Sequence, residues 1–394
     1  MSVRSLRRVF LPLAGALALA AGACGRPPAP AADSPAALSP VAALGGDPGA
    51  GWRRAIAPRE FRFPEDHGPH EGFRTEWWYF TGNLDGPAGE RFGYQLTFFR
   101  QGLDPSPAER PSALAADHLM FAHFALADVT AEEFRAAQRI AREAPGLAAA
   151  SIPPLAVQVL DWSAASEPGA VDFPLRLLAA DSGRAIDLVV VPERPVVLQG
   201  DDGLSRKGPK PGDASYYYSI TRMRAEGTVV AGGRSVPVRG RAWLDREWST
   251  SVLGEGQVGW DWFALQLDDG SDITAWQLRR ADGSRDPHGA LTLVGPSGAV
   301  TRFDARGFRL VPGRTWRSPR SGASYPVAWR LEVPAAGLEL DVTAALDAQE
   351  LRLAVVYWEG AVDVRGRRAD REVAGRGFLE MTGYAALDGP RTAR

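Results

Sequence analysis

A tryptophan-rich hairpin occurs twice in this chain, and that repetition constrains the fold more than any other feature. Arg74-Thr75-Glu76-Trp77-Trp78-Tyr79-Phe80 runs through a turn at Asp85-Gly86-Pro87 into Phe92 to Phe98. Arg246-Glu247-Trp248 and then Trp260-Asp261-Trp262-Phe263 run through Asp268-Asp269-Gly270 into Ile273 to Leu278. One supersecondary unit repeated at long range implies two related β modules in a single chain. Strand alternation puts Trp77, Tyr79, Thr81 and Asn83 on one face and Trp78, Phe80 and Leu84 on the other. The second copy repeats the division, with Trp260, Trp262, Ala264 and Gln266 opposed to Asp261, Phe263, Leu265 and Leu267. An aromatic pair followed by a carboxamide is therefore present twice. If each module closes into a barrel, one of these faces lines its interior. An aromatic interior with few polar groups suits a long apolar ligand, so the expectation is a cavity inside the barrels.

The rest of the body reads as short strands with β-branched or alternating composition, separated by Gly, Pro and Asp at intervals typical of antiparallel sandwiches and barrels. One segment reads as a helix. Thr130-Ala131-Glu132-Glu133 has the form of a capping box, Phe134 to Ala141 are good helix formers, and Pro145-Gly146 would stop it. The expected fold class is all-β with one short inserted helix.

The N-terminus reads as an address. Arg4, Arg7 and Arg8 precede a short apolar run, and Ala21-Gly22-Ala23-Cys24 closes it. Small residues ahead of a cysteine resemble a bacterial lipoprotein signal, giving a signal at 1–23 and lipidation at Cys24. Gly25 in place of Asp fits the pattern sent to the periplasmic face of the outer membrane. Cys24 is the chain's single cysteine, so no intrachain disulfide can form. Residues 24–57, rich in Pro, Ala and Gly, read as a flexible tether, followed by modules at 58–248 and 249–394. A formal net charge of −2, without a basic cluster, argues against a nucleic-acid partner.

Carboxylates among these aromatics are the candidates for chemistry, because burying one is costly unless it is paired or used. Glu76 lies two residues from Arg74, and Asp245 and Glu247 flank Arg246. Asp261, between two Trp, is the best candidate for a general acid with a raised pKa. Tyr217 and Tyr357 could orient a ligand, and Glu359 shares a strand face with Tyr357. His118 and His123, five apart on a strand, face opposite ways, which speaks against a metal pair; His67 and His70 read as solvated loop residues. No metal site, P-loop, dinucleotide fingerprint, nucleophile elbow or Ser-His-Asp spacing is recognisable, so no cofactor is expected.

The segments Glu71 to Gly82, Ala214 to Ser219, Ala242 to Trp248, Gly259 to Phe263, Tyr357 to Gly360 and Leu379 to Tyr384, in this order, resemble the AttH-like proteins, relatives of carotenoid 1,2-hydratase. The resemblance implies two consecutive lipocalin-like β-barrels. In the hydratase branch, water adds across a terminal C=C bond of an acyclic carotenoid, which needs an acid, a base or positioned water, and aromatic faces to shelter a cation. Asp261, Asp245 and Glu247 would supply the acid and base, and Trp77, Tyr79, Trp260, Trp262, Tyr217, Tyr357, Glu359 and Glu76 the binding surface. Arg246 stands where the family pattern carries His, and an always-protonated guanidinium cannot act as a base. With the anchor, this favours a lipid-anchored carrier of an isoprenoid or lipid, working beside a transporter permease, over a hydro-lyase on an isoprenoid C=C bond.

Overall fold

The structure is a computed structural model that describes residues 50–105, 116–251 and 253–385. The signal at 1–23, Cys24 and most of the 24–57 tether lie outside the described residues. The last residues of that tether are packed: Ala55 is fully buried, and the Trp52 indole covers Gly102 so closely that a Cβ there would meet it at 2.2 Å.

Two large antiparallel sheets follow, each curled into a barrel, and their strand orders match. In the first, the hairpin of Thr75–Asp85 and Arg91–Gly102 continues to His118–Asp128, while Thr75–Asp85 pairs on its other edge with Arg234–Ser249. In the second, the hairpin of Gln257–Leu267 and Asp272–Arg280 continues to Ala290–Val294, while Gln257–Leu267 pairs with Arg371–Thr382. Each tryptophan strand is thus clamped between its hairpin partner and a late strand of its own sheet.

Alternation divides the faces as the sequence indicates. Trp78, Phe80 and Leu84 enter the core of the first barrel, and Phe263, Leu265 and Leu267 that of the second. The other face does not line a barrel interior. Tyr79, Trp243, Trp262, Ala264, Trp276, Leu278, Ala361 and Phe378 form a third cluster in which the two barrels meet. The rings of Tyr79 and Trp262 pack edge to face at 5.0 Å. Both repeated carboxamides cross this junction: Asn83 Nδ2 donates to the Gly377 carbonyl (3.1 Å), and Gln266 Nε2 donates to those of Thr221 (2.7 Å) and Ala242 (3.1 Å). Gly93 permits the contact, since a Cβ there would meet that of Ala361 at 2.6 Å. Ion pairs Arg91–Asp363, Arg376–Asp85 and Arg222–Asp272 complete the seam.

The expected helix at 130–141 is a strand. Glu133–Arg142 pairs with His118–Asp128 along its whole length. The capping-box residues form the preceding turn, in which Asp128 accepts from the Ala131 N–H, Thr130 accepts from the Arg91 N–H, and Glu132 has φ 55°. Helix propensity is a weak preference, and an open sheet edge offering ten residues of ladder overrides it.

Candidate active site between the barrels

One pocket dominates the junction. It encloses about 960 Å³ of atom-free space including its open side. Its apolar walls are Trp77, Phe99 and Phe121 from the first barrel and Trp260, Trp262 and Trp276 from the second. Phe99 and Phe121 stack at 4.5 Å. A cavity was expected inside each barrel, whereas this pocket lies between them and is lined by both.

Strand parity decides which charged residues reach it. Along Arg234–Ser249, Trp243, Asp245 and Glu247 point into the junction, whereas Leu244, Arg246 and Trp248 point into the first barrel. Asp245 is buried and accepts from Tyr217 Oη (2.6 Å), Ser219 Oγ (2.5 Å) and Trp243 Nε1 (2.7 Å). Desolvation outweighs these three donors and, helped by the nearby Glu247 charge, pushes the carboxyl up to about 7. Trp262 Nε1 donates to Tyr217 Oη (3.1 Å), so the second barrel also steadies this carboxyl. Glu247 is ion-paired with Lys207, whose ammonium lies 5.5 Å from the centre of the Trp77 ring.

A second acidic centre comes from the C-terminal barrel. Glu359 and Glu380 face each other across the rung between Val356–Arg368 and Arg371–Thr382, and both line the pocket. Burial pushes Glu359 well above the usual carboxylate range and the Glu380 charge pushes it further; Glu380 itself is raised by burial to about 7. Tyr79 Oη donates to Glu359 Oε1 at 2.5 Å, binding the first barrel to this centre. Beside it, His123 Nδ1 lies 2.8 Å from Tyr357 Oη, and burial holds this imidazole down to about 3, hence neutral.

Of the residues expected at a site, Asp245, Glu247, Trp77, Tyr79, Trp260, Trp262, Tyr217, Tyr357 and Glu359 converge on this pocket. Two do not. Asp261 is fully buried on the opposite face, where Tyr384 Oη, Gln277 Nε2 and Arg279 hold it inside the second barrel. Glu76 points into the first barrel, where Arg246, Arg100 and the His70 ring enclose it, and the Arg246 charge holds it down to about 2 against the cost of burial. The histidines expected in solvent are likewise packed: His67 is buried against Tyr218, and His70 stacks on Trp248 at 3.6 Å. Arg246, 3.7 Å over the Trp78 ring, does not line the pocket, so its inability to act as a base takes nothing from it.

Lys207, His123 and Glu380 also line the pocket, beyond the residues expected there. Lys207 carried a signal, as one of two lysines among 45 basic residues, and Glu380 interrupts the apolar run Phe378-Leu379-Glu380-Met381. His123 could be found only from the register that pairs it with Thr97.

The AttH-like family profile matches residues 54–384. The chain belongs to the AttH-like family. It is 36% identical to a crystallised Nitrosomonas europaea protein assigned as AttH, covering 84% of this chain and 99% of that one with a TM-score of 0.75. Kievitone hydratase from Nectria haematococca shares the fold, with a TM-score of 0.65 at 16% identity over 86% of this chain and 98% of that one. A curated relative, the dehydratase AsqC of Emericella nidulans, is 26% identical over 132 residues, which span 30% of this chain and 35% of AsqC.

Proposed function

We propose that this AttH-like protein is a cofactor-free hydro-lyase that adds water to, or removes it from, a C=C bond of an apolar, isoprenoid-type substrate. The observation that carries this reading is the direct pairing of fully buried Glu359 with half-buried Glu380, facing indole walls between the barrels. Such a pair cannot hold two charges, so it keeps a proton available at neutral pH, as a general acid must. That proton passes to one alkene carbon and leaves a tertiary cation on the other. The faces of Trp77 and Trp262 stabilise the cation, water adds to it, and the proton that water gives up passes to Asp245, ionised in about half the molecules near pH 7. The net change is one alkene plus one water to one tertiary alcohol; elimination is the reverse. Hydratase and dehydratase relatives support this class of reaction.

Incubation with neurosporene or lycopene in heavy-oxygen water, followed by mass spectrometry, tests the proposal. The expected product has gained one labelled water, and Glu359→Gln abolishes it. Stoichiometric retention of an unaltered lipid by the wild type would instead support the second reading, a carrier, which the apolar walls also favour. The Ala21-Gly22-Ala23-Cys24 motif supports action from the cell envelope as a lipoprotein. Palmitate labelling that persists in Cys24→Ser would refute that part.

A further inference from the structure

Four side chains lining the pocket keep a buried polar atom without a partner: Gln95 Oε1, Ser205 Oγ, His123 Nε2 and Glu359 Oε2. A buried polar atom without a hydrogen bond is costly, so a cluster of them around one cavity indicates what an occupant must supply. Two of the four flank the same tyrosine. Tyr357 Oη is 2.8 Å from His123 Nδ1 and close enough to Glu359 to act on its acidity.

We assign the tautomer from this arrangement. When the Tyr357 hydroxyl proton is directed at Glu359, its oxygen is left to accept, and His123 Nδ1 must be the protonated nitrogen. A neutral imidazole protonated at Nδ1 has a bare lone pair at Nε2, which is buried without a partner on a residue that lines the pocket. On the other side of Tyr357, Oε2 of a protonated Glu359 is the complementary group, able to donate. One atom type satisfies an acceptor and a donor at once and carries no charge into an apolar cavity: a hydroxyl oxygen.

We propose that the polar pole of the inter-barrel pocket is a binding site for a hydroxyl oxygen, that of water or of an alcohol, held between the Nε2 lone pair of His123 and the Oε2 edge of Glu359. It rests on the reading of this pocket as a hydro-lyase site and names the place where the exchanged oxygen sits. His123 then acts as a positioning residue, holding the oxygen on the acidic side of the cavity and not exchanging a proton itself. The fully substituted carbon next to that oxygen would lie against the indole walls, so a tertiary alcohol is the ligand class the pole selects.

Tryptophan-fluorescence titration of the whole protein with dihydromyrcenol, a tertiary terpenoid alcohol, and with dihydromyrcene, its hydrocarbon counterpart, tests this. Two additional hydrogen bonds should make the alcohol bind about tenfold more tightly. His123→Phe keeps the aromatic bulk and removes the acceptor, so it should abolish the preference while leaving hydrocarbon affinity unchanged, which also shows that the pocket is intact. His123→Gln, whose amide oxygen can accept, should restore part of it. Equal affinities in the wild type, no binding of either probe, or a preference that survives in His123→Phe would overturn the proposal. A preference lost in His123→Phe by a protein that turns over no alkene would uphold the oxygen site and refute the hydro-lyase reading instead.

Discussion

Replacing Asp245 by Asn should shift stability progressively in favour of the variant as the pH rises. In the fold the carboxyl titrates at about 7, against an ordinary value of 3.8, because burial penalises its charge more than three hydrogen bonds reward it. A raised carboxyl contributes its stability fully below pH 3.8, where it is protonated in both states. That contribution is lost progressively between 3.8 and 7, as the unfolded chain ionises and the folded one does not. At about 1.4 kcal/mol per pH unit, the difference between about 7 and 3.8 corresponds to about 4 kcal/mol of instability at pH 8. Asn is isosteric and never ionises, so the stability difference between Asp245→Asn and wild type should grow by about 3 to 4 kcal/mol from pH 4 to pH 8 and level off beyond. Any constant loss from rearranged bonds to Tyr217, Ser219 and Trp243 displaces the curve without changing its slope. Urea unfolding at a series of pH values, followed by tryptophan fluorescence, measures the difference. A pH-independent difference would refute the claim that burial raises the pKa of this carboxyl.

Glu359→Gln should lower turnover by about 10² to 10⁴ with little change in ligand affinity, since it removes the acid and keeps the shape; single-turnover kinetics and a binding titration separate the two. Asp261→Asn should leave turnover within about twofold of wild type, because Tyr384, Gln277 and Arg279 hold Asp261 inside the second barrel, away from the pocket. A large loss in initial rate would place the acid elsewhere. Glu76→Gln should cost about 3 to 5 kcal/mol at pH 7 by leaving Arg246 buried and unpaired. Because Glu76 is held down to about 2, its contribution is present above the ordinary 4.5 and lost as the pH falls through 2, so the cost should shrink in acid unfolding curves.

The duplicated hairpins and the division of their faces were legible because a strand repeats every two residues, and Trp77, Tyr79, Asn83 and Trp260, Trp262, Gln266 obey that period. What the faces pack against was not. Alternation separates two sides but does not say which lies inside a barrel and which meets a neighbour. The aromatic stripes were therefore placed in two barrel interiors when they form one junction. Asp261 and Glu76 fall outside the pocket for a reason alternation does contain: each stands beside a pocket tryptophan in sequence, and adjacency on a strand puts it on the opposite face. Asp245 and Glu247 reached the site because each shares parity with Trp243. Glu380 joins Glu359 through the register of the last hairpin, which turns at Ala369-Asp370 without the Gly that usually marks such a turn in sequence. The strand at Glu133–Arg142 was unreadable for a related reason, its ladder being supplied by a partner and not by its own helix-forming composition.

A crystal structure with dihydromyrcenol bound tests most directly whether the working cavity lies between the barrels. The ligand is expected against Trp77, Trp262 and Tyr357, with its oxygen beside His123 and Glu359. A ligand found within either barrel's own core, or on the outer surface away from Glu359 and Glu380, would contradict this placement.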